Sequence, residues 1–107
     1  LRVLVCERCW LVQTEDYAAR ETLFSADYAY FSSTSASWLA HASDYVARMT
    51  ERFGLTAKDF AVEIAANDGY LLQYFKQRDI PCLGVEPTKA TAEAARRKGI
   101  EIVESFF

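Results

Sequence analysis

The sequence is poor in the residues that most often announce chemistry. Its 107 residues include one histidine, three cysteines, four glycines and two prolines. No apolar run approaches the roughly 20 residues that cross a bilayer, and the start lacks the charged and apolar regions of a signal peptide. No membrane partner is therefore expected. The net charge is −3, divided into −2 through residue 54 and −1 beyond it, and no basic patch stands out. That balance argues against nucleic acid as a partner. Three cysteines in a chain of cytosolic appearance argue against a disulfide framework, and the expected location is cytoplasmic.

What is present is a core-forming composition. Apolar residues make up 51% and aromatics 14%, enough for one modest core. The second half alternates strand and helix patterns. Asp59 to Ala66 reads as a strand, and a helix with Leu71, Leu72 and Phe75 on its buried face runs from Gly69 to about Arg78. Pro81 to Glu86 reads as a second strand. Pro87 breaks it, and Thr88 is expected to cap an alanine-rich helix. Arg96, Arg97 and Lys98 fall in the last turn of that helix, where cations suit the dipole, and Gly99 ends it. Ile100 to Val103 is the third strand. This order predicts an α/β fold, a partial Rossmann-like βαβαβ unit with parallel pairing.

The turn after the first strand carries the chemistry: Glu63-Ile64-Ala65-Ala66-Asn67-Asp68-Gly69-Tyr70. Nucleotide-binding α/β folds bring backbone N–H groups to the ligand here, and an acid at the end of the second strand accepts from ribose hydroxyls. Glu86 stands there, seventeen positions after Gly69. A dinucleotide site wants Gly-x-Gly-x-x-Gly, but this turn has one glycine and places Asp68 where a phosphate would sit. A carboxylate repels a diphosphate and suits a ligand bearing a sulfonium and an ammonium group. A carboxylate in mid-strand, as at Glu63, is costly unless it is paired, which marks that residue for a site role.

The turn resembles motif I of class I S-adenosylmethionine (SAM) methyltransferases. The wording Glu-Ile-Ala-Ala-Asn-Asp-Gly-Tyr-Leu-Leu is similar to the sugar C-methyltransferase branch, with Ala65 and Asn67 standing at glycine positions. The resemblance implies that Glu63, Ala65, Ala66, Asn67, Asp68, Gly69, Glu86 and Pro87 bind the cofactor. Glu63 would lie near its methionine end, and Glu86 would hold the ribose. It implies a nucleotide-linked deoxy-keto sugar as substrate, and a histidine or tyrosine general base beyond residue 107. The chain opens without methionine and stops after its third strand. It is therefore expected to be an inactive fragment of a longer enzyme.

The first half is less explicit. Cys6-Glu7-Arg8-Cys9 on a strand–turn–strand knuckle is half of a structural zinc site. A redox pair and two plain thiols are the alternatives. The resemblance favours zinc, because the family's N-terminal zinc module is similar in its last knuckle to Cys6, Cys9, Leu11, Val12 and Gln13; the other ligands would have to come from outside the chain. Residues 14–33 read as a loop-like connector, ending in the capping run Ser32-Ser33-Thr34-Ser35. By resemblance Tyr28, Tyr30 and Ser33 would line the substrate pocket. Ser37 to Phe53 is helical, with Trp38, Ala42, Tyr45, Val46, Met49 and Phe53 in one stripe and Gly54 as the stop. His41 falls mostly on the other side and is expected to be solvated. Three segments follow: residues 1–13 end the zinc module, 14–54 form the connector and helix, and 55–107 begin the SAM-binding domain. A non-catalytic module that keeps the fold is one rival reading, and a dinucleotide-dependent oxidoreductase is a weaker one.

Overall fold

The computed structural model describes residues 2–15, 18–25 and 30–107. Strands β1 (Val3–Val5) and β2 (Val12–Thr14) form an antiparallel hairpin around the Cys6–Cys9 turn. The knuckle is closed by the Cys6 N–H to the Leu11 carbonyl and the Trp10 N–H to the Cys6 carbonyl. Its strand residues are exposed.

The described part of the connector is not all loop. It contains a short helix α1 (Arg20–Leu23) and a 3-10 turn at Ser32–Thr34. Helix α2 (Ala36–Phe53) starts one residue earlier than the apolar stripe alone indicates. The Ser35 hydroxyl accepts from the Trp38 N–H and serves as its N-cap. Gly54, at φ 62°, ends it in the left-handed region that glycine adopts without penalty. Only Ala42 and Val46 of the stripe are buried. Trp38 stays 43% exposed but lies stacked between neighbours, at 5.2 Å from His41 and 5.9 Å from Tyr70.

The second half forms a three-stranded sheet in the order β3 (Ala61–Ile64), β4 (Cys82–Val85), β5 (Glu101–Val103), parallel throughout. Helices α3 (Leu72–Lys76) and α4 (Lys89–Arg97) form its crossovers. The sequence expectation of a parallel α/β unit holds. The elements are shorter than the apolar runs, because tight turns consume their ends. Thr88 occupies the N-cap of α4, but its hydroxyl makes no capping bond and is buried without a partner. The capping expectation there is corrected.

One side of the sheet carries the core: Val46, Ala66, Leu72, Phe75, Ile80, Ala92, Ala95, Ile100 and Ile102. Each large side chain buried there is worth about 1.5–3 kcal/mol, so this small set accounts for most of the hydrophobic stabilisation. Gly84 in β4 makes that packing possible. A Cβ on it would sit 2.7 Å from the Ala66 Cβ and run into the Ile102 Cδ1. Alternate residues face the other way, and Val62, Ile64 and Val103 remain about half exposed.

Candidate cofactor site

The site lies past the carboxyl ends of β3 and β4, where parallel α/β sheets bind ligands. The turn between β3 and α3 is tight, and three of its residues have positive φ: Ala65 at 60°, Asn67 at 51° and Gly69 at 74°. The first two are the places where the resembling motif has glycine. An alanine in the left-handed region costs about 1–2 kcal/mol, whereas asparagine tolerates it better. Gly69 cannot be replaced cheaply, since its Cβ would lie 3.2 Å from the Ala95 Cβ and overlap the Ile100 Cδ1. Ala65→Gly is therefore expected to stabilise the chain by about 0.5–1 kcal/mol, the relief of strain less the entropy of the unfolded glycine. Urea unfolding checks this.

Asn67 makes two side-chain bonds that a glycine could not. Its Oδ1 accepts from the Ser32 N–H at 2.9 Å, and its Nδ2 donates to the Tyr30 carbonyl at 3.0 Å. The segment Tyr30–Ser33 is thereby strapped across the turn. Asp68 is turned inward and only 3% exposed, so it is no solvated turn residue. Its Oδ2 accepts from the Ser33 N–H at 3.2 Å and pairs with the Lys98 ammonium at 3.4 Å.

Glu86 is likewise buried. Oε2 accepts from the Asn67 N–H and Oε1 from the Thr88 N–H, each at 2.9 Å, so one carboxylate joins both strand–helix turns. A carboxylate has about four lone-pair positions, which leaves acceptor capacity toward the cavity it lines. Glu63, on the helix side of β3, has an Oε2 with no hydrogen-bond partner. Burial is the main cause that pushes its carboxyl up to about 8. The Tyr70 hydroxyl opposes this by hydrogen bonding, and the charges of Asp68 and Glu86 add to it. At neutral pH Glu63 is chiefly the acid and has an O–H to donate. Tyr70 is raised as well, by burial first and then by the Glu63 charge.

These elements surround a cavity of about 560 Å³, within the roughly 300–1,000 Å³ typical of small-molecule pockets. Of the residues expected to bind cofactor or substrate, Ala65, Asn67, Glu86, Pro87 and Tyr30 line it. Ala66, Asp68 and Gly69 are buried behind it and shape the turn. Ser33 is bound to Asp68, and its neighbour Ser32 faces the cavity instead. Tyr28 lies outside the described residues. Sequence reasoning passed over Tyr70, Arg20, Phe24 and Phe106, all of which line the cavity. Adjacency to Gly69 could have pointed to Tyr70; nothing marks Phe106.

His41 is exposed and lines a second, smaller cavity of about 260 Å³ with Trp38, Tyr45 and Tyr70. Cys6 and Cys9 remain free thiols. The Cys9 and Arg8 N–H groups hold the Cys6 thiol below its ordinary range, with a contribution from Cys9 sulfur. Among the described residues no group of three or more metal-ligating side chains occurs. Two thiols are half of the four ligands that a structural zinc takes, so these residues alone do not fit it. Among the described residues no helix is long and apolar enough to cross a membrane.

With this geometry, the chain can be set beside known proteins. The C-methyltransferase NovU of Streptomyces niveus is 35% identical over all 107 residues, which amount to 25% of NovU. The chain thus spans about a quarter of that relative's length. No family model matches it. Among solved structures, the YcgJ protein of Bacillus subtilis superposes with a TM-score of 0.51 at 22% identity, covering 63% of this chain and 30% of YcgJ. YjhP of E. coli gives 0.50 at 9% identity, covering 77% and 34%. The structural likenesses establish the fold. It is Rossmann-like.

Proposed function

We propose that this chain is the cofactor-binding part of a SAM-dependent methyltransferase that methylates carbon, with a nucleotide-linked deoxy-keto sugar as acceptor in the cytoplasm. The observation that carries the reading is Glu86, a buried carboxylate that ties both turns together and still faces the cavity. Its remaining lone pairs suit the vicinal hydroxyls of a ribose. The relative named as a C-methyltransferase supports methyl transfer to carbon. The sugar substrate rests on the wording of the turn. The division into residues 1–13, 14–54 and 55–107 belongs to the same proposal, as does a zinc completed by ligands beyond Cys6 and Cys9.

SAM, when bound, supplies a methyl group on a sulfonium. The chain's own residues bind and orient. Glu86 accepts from the ribose, Tyr30 and Tyr70 both line the wall, and Glu63, which is not part of the lining, holds Tyr70 by a side-chain hydrogen bond. Ile64, Val85, Pro87 and Phe106 keep the cavity apolar, which excludes water from a methyl-transfer site. A pyrophosphate finds a poorer fit. Asn67 N–H is already engaged by Glu86, and the buried Asp68 lies just behind the turn.

The test is an amide-resolved NMR titration with S-adenosylhomocysteine, using NADH as the control. Shifts at Glu63–Tyr70 and Glu86–Thr88 with the first ligand only are expected. Equal or larger shifts with NADH would overturn the reading, and silence with both would favour a non-catalytic module. Glu86→Gln is expected to weaken S-adenosylhomocysteine by about 2 kcal/mol, roughly thirtyfold, because one anionic acceptor becomes a donor facing an N–H. Calorimetry reads that loss directly.

A further inference from the structure

Lys98 stands at the C-terminal end of α4, where a surface cation would already suit the helix dipole. Its side chain goes elsewhere. It is only 29% exposed, and its ammonium donates to the Asp68 carbonyl at 2.6 Å and to the Ser33 Oγ at 2.7 Å, while pairing with the Asp68 carboxylate at 3.4 Å. An ammonium has three N–H donors, and this one directs them at both the turn and the strap. Both partners are chain neighbours of cavity-lining residues: Ser33 follows Ser32, and Asp68 follows Asn67.

We propose that Lys98 is a positioning residue of the cofactor site, fastening the strap Tyr30–Ser33 and the turn Ala66–Gly69 into one wall. Asn67 holds the strap from the cavity side and Lys98 holds it from behind. The turn needs such a fastener because Ala65 and Asn67 lie in the left-handed region, which relaxes unless the surroundings fix it. The inference rests on the SAM reading only for its binding readout.

Three proteins decide it: the wild type, Lys98→Met and the double variant Asp68→Asn/Lys98→Met. Each is read by Tm, by S-adenosylhomocysteine affinity and by amide hydrogen exchange at Ser32 and Ser33. Lys98→Met is expected to lower affinity about tenfold and to remove protection at Ser33. It also strands the buried Asp68 charge, so its Tm falls too. The double variant removes that charge. Its Tm is expected to recover while affinity and protection stay low. Recovery of affinity together with Tm would show that Lys98 only neutralises Asp68 and would overturn the proposal. So would wild-type protection at Ser33 in Lys98→Met. A wild type that binds no S-adenosylhomocysteine would sink the SAM reading, yet the exchange data would still decide whether Lys98 fastens the strap.

Discussion

Glu63→Gln is expected to become more stable than the wild type above pH 8, and to lose a pH dependence that the wild type shows. The Glu63 carboxyl sits at about 8 in the folded chain because burial disfavours its charge. In the unfolded chain it returns to the ordinary carboxylate range, about 4.3. Between those values the folded state holds a proton that the unfolded state has released. Stability from this group is therefore full below about pH 4.3 and falls as pH rises to about 8, levelling off beyond. The fall is at most about 5 kcal/mol, from 1.36 kcal/mol per unit. Glutamine cannot ionise, so its curve lacks that slope. Urea unfolding of both proteins from pH 5 to pH 9 checks it, and other titrating groups cancel in the difference. Parallel curves would mean that Glu63 ionises as a solvated acid does.

Gly84→Ala has the second large effect, about 3 kcal/mol of destabilisation, because it overpacks the core beside a wall that cannot retreat. The Ile102 methyl could rotate away, but the Ala66 Cβ is fixed to the backbone at 2.7 Å and is fully buried. Ala66 belongs to the turn between β3 and α3, so the strand and the turn are forced apart, and the S-adenosylhomocysteine affinity expected under the proposed function drops with stability. Gly54→Ala is the control. Its Cβ would meet nothing within 4 Å, and it carries only the cost of a positive φ, about 1 kcal/mol. Urea midpoints of the two variants should differ clearly. Equal midpoints would show that β4 and the turn separate without strain.

The parallel unit was legible because Val62, Ile64, Leu83, Val85 and Ile102 stand in short apolar runs, each closed by a turn or cap residue. Gly69 and Gly99, both at positive φ, punctuate those runs. The positions of Glu63 and Glu86 followed from the same pattern. Partnership was not legible. Asp68 reads like any Asp-Gly turn, yet its charge points inward to a lysine 30 residues later. Lys98 reads like a helix-end cation and turns out to reach a serine 65 residues earlier. Such pairs arise when separate elements are packed, and no local spacing encodes them. Thr88 stands at the N-cap position as expected, but its hydroxyl makes no capping bond; the long-range partner at this entry is Glu86, which takes the Thr88 N–H while also holding Asn67.

The stacking of Trp38 on Tyr70 gives the chain an optical reporter. Tyr70 also lines the cavity of about 560 Å³, so any ligand that shifts it changes the surroundings of an indole. The other tryptophan, Trp10, lies 75% exposed on the hairpin and would contribute a constant background. With Trp10 replaced by phenylalanine, emission from a single residue would follow occupancy of the site in real time, without a label and without turnover.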